Sequence, residues 1–164
     1  MEGAVVKRKW FLLGKRSVFR TCAALAMVIP STAFGVLGGS EASVQADQSR
    51  MQAQVQTSRV GAYTVHELQG PSGTVIREYA ANGTVFAVAW EGHWPPDMQQ
   101  LLGSYFETYR QALQAQTEKS RGRGPVYIEV PGLVVNAGGH PRSFKGRAFV
   151  PEMVPQGMKA EAIR

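Results

Sequence analysis

The side chains with the most capacity for chemistry in this sequence are three histidines and the aromatic residues near them. His66 lies in a segment of alternating apolar and polar residues, His93 lies between Trp90 and Trp94, and His140 follows a Gly-Gly pair. An imidazole can take up or release a proton near neutral pH. Two of these histidines converging with a carboxylate in a cleft would therefore indicate a small hydrolase-like enzyme.

The spacing of these residues does not match the known motifs of metal or nucleophile sites. The metal donors would be the histidines with Glu67 and Asp97, but there is no HExxH motif and no His-x-His pair. Gly70-Pro71-Ser72-Gly73 predicts a turn and not the strand-to-helix elbow that presents a catalytic serine. Neither Gly-Gly pair precedes Lys-Ser or Lys-Thr, which excludes a phosphate-binding loop. We therefore expect no metal and no cofactor.

Three strands must position His66 and the aromatic residues. The alternation of residue types predicts strands over Tyr63 to Gln69, Thr74 to Ala81 and Thr84 to Glu91. Asn82-Gly83 between the last two predicts a type I′ hairpin, because both residues tolerate positive φ. The three strands should form one antiparallel meander.

The predicted register distributes the candidate residues between two faces. With a four-residue turn after Gln69, His66 lies opposite Arg77, and the second hairpin places Arg77 opposite Val88. One face then has an aromatic and cationic character that could bind a planar or anionic ligand. Arg77 could equally extend its stem over the aromatic rings to reach water. The candidate binding residues, including those of the following loop, are His66, Arg77, Tyr79, Trp90, His93, Trp94 and His140.

The opposite face, which carries Ala87 and Ala89, is expected to receive a long helix. Asp97 and Gln100 form a capping box, and apolar residues recur at helical spacing from Met98 to Leu113. Small residues allow a helix to approach closely, which favours this face. Glu67 and Glu78 would lie diagonally on it, as half-exposed acids at the rim.

The remaining elements complete an α+β fold. Ser40 or Ser43 can cap a short helix in which Val44, Asp47, Met51 and Val55 share one face. Two or three strands follow the long helix, over 126–130, 133–137 and 143–150, and the tail 151–164 either frays or lies along the domain. The predicted fold is one antiparallel sheet packed against one long amphipathic helix, with a short N-terminal helix.

Most of the positive charge lies at the N-terminus. The chain has 18 Lys and Arg against 12 Asp and Glu, but residues 36–164 carry 12 basic and 11 acidic groups. We therefore expect no binding to nucleic acid. The single cysteine, Cys22, is also N-terminal, which excludes disulfides and thiol catalysis from the rest.

Residues 1–35 have the layout of a secretory signal peptide. Six basic residues, a 13-residue mostly apolar run from Thr21 to Ala33, and small residues follow one another. Ala33-Phe34-Gly35 predicts cleavage before Val36, while Ser31-Thr32-Ala33 would allow cleavage before Phe34. No run is long enough for a membrane span, although an uncleaved anchor stays an alternative. The predicted mature protein, 36–164, is a single periplasmic or secreted domain.

The mature segment resembles a known family. Tyr63-Thr64-Val65-His66-Glu67, the stretch Pro71 to Tyr79, Val85 to Trp90, Leu101 to Phe106 and the stretch Gly138 to Ala148 resemble a proteobacterial family of small exported proteins known only as domain of unknown function 2844. The resemblance implies export in a Gram-negative bacterium. It implies no activity and no catalytic residues.

These observations favour a non-enzymatic binding or accessory module that binds an envelope protein or a small ligand. The hydrolase-like enzyme is the first alternative. A structural or chaperone-like envelope component is the second. An exposed apolar groove would favour the binding module. A cleft with convergent histidines would favour the enzyme. A closed surface would favour the structural component.

Overall fold

The structure, a computed structural model, describes residues 36–119 and 124–164. The predicted signal peptide lies outside the described residues. Among those residues, no helix combines the length and the apolar composition needed to cross a membrane. The α-helices are α1 (Val44–Met51), α2 (Met98–Leu102) and α3 (Phe106–Lys119). The strands are β1 (Gln54–Val60), β2 (Tyr63–Gln69), β3 (Val75–Ala81), β4 (Thr84–Gly92), β5 (Val126–Val130), β6 (Leu133–His140) and β7 (Ser143–Phe149).

The strands form one antiparallel seven-stranded sheet in the order β1-β2-β3-β4-β7-β6-β5. An α+β fold with an antiparallel sheet is therefore confirmed. The first meander has four strands and not three, because β1 extends it at one edge. Six of the seven β1 residues, all but Val55, are exposed, so this strand lacks the alternation by which the others are recognised.

The Asn82-Gly83 hairpin forms as predicted, but a bulge follows it. Asn82 and Gly83 have φ angles of 51° and 75°. The register then shifts between Tyr79 and Ala80, so that Arg77 lies opposite Ala89 and not opposite Val88. A β-bulge adds one residue to one strand and is not visible in the alternation.

The pairing of β2 with β3 also differs from the predicted register, because the turn between them is shorter than expected. Gly70 N–H donates to the Thr74 carbonyl at 2.9 Å, which leaves a three-residue loop with Gly73 at a φ of 78°. This loop is one residue shorter than predicted. His66 therefore lies opposite Glu78, and Arg77 lies opposite Glu67. Because side chains alternate between faces, the shift separates His66 from Arg77.

The helices pack on the opposite face from the one predicted. We call it the helix face; it carries Leu68, Ile76, Val88 and Trp90, which form one core with Leu101, Leu102 and Tyr109. The predicted docking of the helix against Ala87 and Ala89 was wrong. The large side chains of the helix face fill the space below the helices, and Trp90 covers Gly146, whose missing side chain makes room for the indole.

The predicted long helix is divided in two. Gly103, with a φ of 52°, ends α2, and a 3-10 turn over Gly103–Tyr105 leads into α3. Glycine tolerates this conformation at little cost, so the chain turns here while its apolar periodicity continues. The periodicity alone therefore predicts one helix.

The C-terminal segment covers the other face, which we call the tail face. Ile163 is 0% exposed and packs with Tyr79, Phe86, Ala87 and Ala89. Tyr79 Oη donates to the Arg164 carbonyl at 2.8 Å and accepts from its N–H at 3.1 Å. The tail thus lies along the domain and is anchored, where the sequence left fraying open. The small residues of this face accommodate the tail and not a helix.

Replacing Ile163 tests whether the tail belongs to the cooperative fold. We expect Ile163→Ala to lower the free energy of unfolding by about 2–5 kcal/mol, because it removes buried apolar volume. Chemical denaturation followed by circular dichroism measures this. Ala162→Gly, one residue away, serves as the control for chain flexibility. A change of less than about 0.5 kcal/mol for Ile163→Ala would show that the tail is dispensable.

Candidate functional site

The sequence-predicted binding residues do not form one platform. Arg77 and Tyr79 lie on the tail face, whereas His66 and Trp90 lie on the helix face. His93 and Trp94 lie in the loop after β4, and His140 ends β6. The predicted aromatic and cationic face is therefore wrong as a single surface. Whether any of these residues binds a partner stays a prediction.

Trp90 and Arg77 are both occupied by contacts within the fold. Trp90 is buried in the core of the helix face. Arg77 Nε donates to Glu67 at 2.6 Å and its second guanidinium nitrogen donates to Glu91 at 3.0 Å. Arg77 and Glu67 thus face each other across β2 and β3, and Glu67 is separated from Glu78 by the sheet. The prediction that Glu67 and Glu78 lie on one face is therefore wrong.

The loop residue Trp94 is the most exposed large apolar side chain of the described residues, at 68%. Pro95 and Pro96 follow it, and Asp97 caps α2 by accepting hydrogen bonds from the Gln99 and Gln100 N–H groups at 2.9 and 3.1 Å. His93 and His140 are exposed. The loop is thus held against the start of α2, while the indole of Trp94 faces solvent.

His66 is held between a hydroxyl and a carboxylate. Its Nδ1 lies 3.0 Å from Thr57 Oγ1, and its Nε2 lies 2.8 Å from Glu41 Oε1. Thr57 is the neighbour of His66 on the edge strand β1, and Glu41 belongs to the 3-10 helix before α1. The arrangement orients the imidazole and connects the N-terminal segment to the sheet.

A pocket on the helix face contains two buried acids, and we call it the acidic pocket. Its volume is about 260 Å³. Asp47 comes from α1, Glu78 from the middle of β3 and Gln100 from α2. The wall is largely apolar, and the residues nearest the surface are Pro71, Ser72 and Asp97. The pocket lining is Val36, Asp47, Met51, Gly70, Pro71, Ser72, Thr74, Ile76, Glu78, Pro96, Asp97, Gln100 and Leu101.

Glu78 is the anomaly of this pocket. It is 0% exposed, and neither carboxyl oxygen has a hydrogen-bond partner among the described residues. Burial raises the pKa of the Glu78 carboxyl to about 8, and the negative charge of Asp47 contributes in the same direction. Removing a carboxyl group from water without a partner is costly, so such a group in a folded protein calls for an explanation.

Asp47 is better compensated than Glu78. Burial also raises the pKa of Asp47, while a hydrogen bond from Gln100 and the charge of Arg50 act in the opposite direction. Both contacts join Asp47 Oδ1 to a nitrogen 3.4 Å away. The inner end of the pocket therefore combines one weakly compensated acid with one uncompensated acid.

A signal for this site was present in the sequence. Asp47 shares a helix face with Val44 and Met51, and Glu78 shares a sheet face with Ile76 and Ala80. An acid within an apolar stripe is unusual because charged residues are almost never fully buried without a partner. Glu78 was expected on the face that receives the helix, but as a half-exposed acid at the rim, and this interpretation hid the signal. Within residues 36–119 and 124–164, no cluster of three or more His, Cys, Asp or Glu could hold a metal ion.

Comparison with known proteins identifies a family of unknown function. The family model described as "Protein of unknown function (DUF2844)" matches residues 33–163. No curated protein and no solved structure matches this chain significantly. The predicted family resemblance is confirmed, while the proteobacterial origin stays a prediction.

The pH dependence of stability of the chain that retains residues 1–35 tests the burial of Glu78. Because the folded-state pKa, about 8, lies above the ordinary 4.5, the folded state holds a proton that the unfolded state has lost between these values. The free energy of unfolding should therefore fall as the pH rises from about 4.5 to about 8, at up to about 1.4 kcal/mol per pH unit from Glu78. Asp47 adds to this fall at the acidic end.

Glu78→Gln should flatten this profile and make the protein more stable than the wild type at pH 8. Urea denaturation at a series of pH values measures both. Glu152→Gln, at an exposed acid of the C-terminal segment, is the matched control and should keep the wild-type slope. Parallel profiles for the wild type and Glu78→Gln would show that Glu78 titrates normally.

Proposed function

Because this chain belongs to the DUF2844 family, whose description names no activity, we propose a function from its own geometry: it is an exported, non-enzymatic binding module that holds a small ligand in the acidic pocket. The observation that carries the proposal is the unpartnered, fully buried Glu78 at the inner end of a pocket. Buried polar groups without a partner are rare and concentrate at functional sites.

Export is supported by the sequence of the first 35 residues and by the extent of the family match. The basic, apolar and small-residue sections have the order of a signal peptide. The family match begins at residue 33, three positions before the predicted cleavage site at Val36. The part of the chain that relatives share therefore begins where the predicted leader ends.

The ligand has to complement both the walls and the inner end of the pocket. Met51, Ile76 and Leu101 provide apolar walls, and the carboxyl groups of Asp47 and Glu78 provide hydrogen-bond acceptors. At about 260 Å³, the pocket has room for roughly nine water molecules or a ligand of that size. A compact apolar body with a hydrogen-bond-donating head fits these walls, whereas a carboxylate head would be repelled.

Binding of simple probes tests this proposal. We expect 1-butylamine or 1-butanol to raise the thermal midpoint of the folded protein, and butyrate to leave it unchanged, because only the first two have a donor head. Differential scanning fluorimetry and ligand-observed NMR measure the effect. Ile76→Asp should abolish it, whereas Ile128→Val, in the same core but outside the pocket lining, should not. Equal binding of butyrate, or binding of none of the three probes, would contradict the proposal.

A second candidate function is a hydrolase-like activity at His66. Its support is the chain of Thr57 hydroxyl, His66 imidazole and Glu41 carboxylate, with separations of 3.0 and 2.8 Å. A hydroxyl beside an imidazole that a carboxylate orients is the arrangement of a nucleophile and its base. In that case the hydroxyl would attack an ester carbonyl, its proton would pass to Nδ1 of His66, and the bond to the ester's alcohol oxygen would break as the alcohol takes up that proton and leaves.

Reaction with an active ester distinguishes the two functions. If Thr57 is a nucleophile, p-nitrophenyl acetate should acetylate it, and intact-protein mass spectrometry with peptide mapping would locate the acetyl group. Thr57→Val and His66→Gln should then both lose the label, while Thr64→Val on the neighbouring strand should keep it. The binding-module proposal predicts no label at Thr57 above that of Thr64.

A further inference from the structure

The segment that follows the predicted leader is part of the core and of the acidic pocket. Val36 is 2% exposed and lines the pocket together with Asp47 and Glu78. Leu37, also buried, donates its N–H to the carbonyl of Leu101, another wall residue, at 3.2 Å. The position of the backbone at Val36 is therefore fixed by its contacts in the pocket wall.

Hydrogen bonds to β4 extend this anchoring along the chain. Gly38 N–H donates to the Val85 carbonyl at 2.8 Å, and Val85 N–H donates to the Gly39 carbonyl at 2.9 Å. Ser40 then pairs with Thr84 as an isolated bridge. β7 pairs with β4 only from Ala87 onward, so the N-terminal segment takes up the side of β4 that β7 leaves open. The position of Val36 is thus determined by the sheet.

We infer that removal of residues 1–35 leaves the α-ammonium group of Val36 on the wall of the acidic pocket, as the counter-ion of the buried Glu78. The inference rests on the proposed export and not on the proposed ligand. It joins three observations: a predicted cleavage site before Val36, a place for Val36 in the pocket wall, and a carboxyl group in that wall without a partner. An α-amino group has an ordinary pKa of about 7.7–8.0 and gains its proton more readily beside a carboxylate.

Cleavage creates a positive charge at Val36, and the pocket has no other cation to pair with Glu78 among its lining residues. A leader peptidase adds water across the Gly35–Val36 peptide bond, which leaves a carboxylate on Gly35 and an ammonium on Val36. Before cleavage the Val36 nitrogen is an uncharged amide, and Glu78 avoids a buried charge by keeping its proton. After cleavage Glu78 ionises opposite the ammonium group and releases that proton to solvent. Since Val36 is already part of the wall, the pocket gains a charge without being filled.

Maturation would thereby change the protein in two ways. The ion pair stabilises the exported chain relative to its precursor, because an uncompensated buried acid is replaced by a compensated one. Once Glu78 is paired with the Val36 ammonium group, Asp47 and Gln100 are the polar groups that remain to bind the head of a ligand. The site would be completed only after the leader is removed.

The test uses the exported protein as the cell produces it. The full chain is expressed with its leader in a Gram-negative host, recovered from the periplasm or medium, and sequenced from its N-terminus, where we expect Val36. The matched variant has one alanine inserted between Gly35 and Val36. It keeps the Ala33-Phe34-Gly35 recognition pattern, so cleavage leaves the ammonium group one residue, about 3.8 Å, farther along the chain.

Both chains are compared with and without Glu78→Gln by chemical denaturation at pH 7. We expect the insertion to raise the unfolding equilibrium constant at least tenfold when Glu78 is present and less than threefold when Gln replaces it. As a second measurement, dilute acetic anhydride should acetylate the Val36 amine much more slowly than the amine of the inserted alanine. This measurement does not depend on the folding of any Glu78 variant.

The outcomes separate this inference from the proposed function. A chain that stays in the cytosol would contradict both export and the inference, and an exported chain that keeps its leader would overturn the inference alone. A first residue other than Val36, an insertion effect of the same size with Glu78 and with Gln, or equal acetylation of the two amines would overturn the inference alone. None of these measurements requires a ligand, so a failure of butylamine and butanol to bind would leave the inference standing.

Discussion

The burial of one carboxyl group without a partner is the constraint on which this account depends. Glu78 lies in the middle of β3, an inner strand of the sheet, with 0% exposure and no hydrogen bond among the described residues. An unsatisfied buried group costs about 1–3 kcal/mol, and more when it is charged. A fold that is stable by only about 5–15 kcal/mol carries a large penalty at this position. A site that gains a ligand or a counter-ion there recovers that cost.

The sheet register decides which groups surround Glu78. Thr57, His66, Glu78 and Val88 follow one another across β1 to β4, and the row continues through Ala148, Val135 and Ile128 on β7, β6 and β5. The polar end of this row faces the N-terminal segment, and its apolar end lies below α3. The same register places Arg77 on the tail face, where Glu67 and Glu91 neutralise it. Arg77 and Glu78 are adjacent in β3 and point to opposite faces of the sheet, so the cationic group is separated from the buried acid.

Local features of the fold were predictable from sequence, because they depend on neighbouring residues. The strand over Tyr63 to Gln69 and the positive φ angles of Asn82 and Gly83 follow from alternation and turn chemistry. The bulge at Tyr79 and the short loop closed by Gly70 and Thr74 depend on hydrogen bonds that a pattern does not reveal. Each changes the register by one residue, and side chains change face with each such change.

The single aromatic and cationic surface was wrongly predicted for the same reason. His66, Arg77 and Trp90 belonged to one surface only in the wrong register, and Trp90 is core because Gly146 opposite it leaves room for an indole. Asp47 and Glu78 could have been recognised as acids within apolar stripes, but their meeting in one pocket depends on how α1 crosses the sheet. The anchored tail was equally hidden, since Ile163 is the single fully buried side chain of a segment without periodicity.

The most direct test of the central claim is the ionisation of Glu78 itself. Glutamate labelled with carbon-13 at the side-chain carboxyl allows each acid to be titrated by NMR, and Glu78→Gln identifies its resonance by the signal that disappears. We expect the Glu78 carboxyl to titrate near pH 8 in the precursor, where the Val36 nitrogen is an amide, and at a clearly lower pH in the mature chain. Titration near pH 4.5 in both forms would contradict it, because Glu78 would then be an ordinary solvated acid.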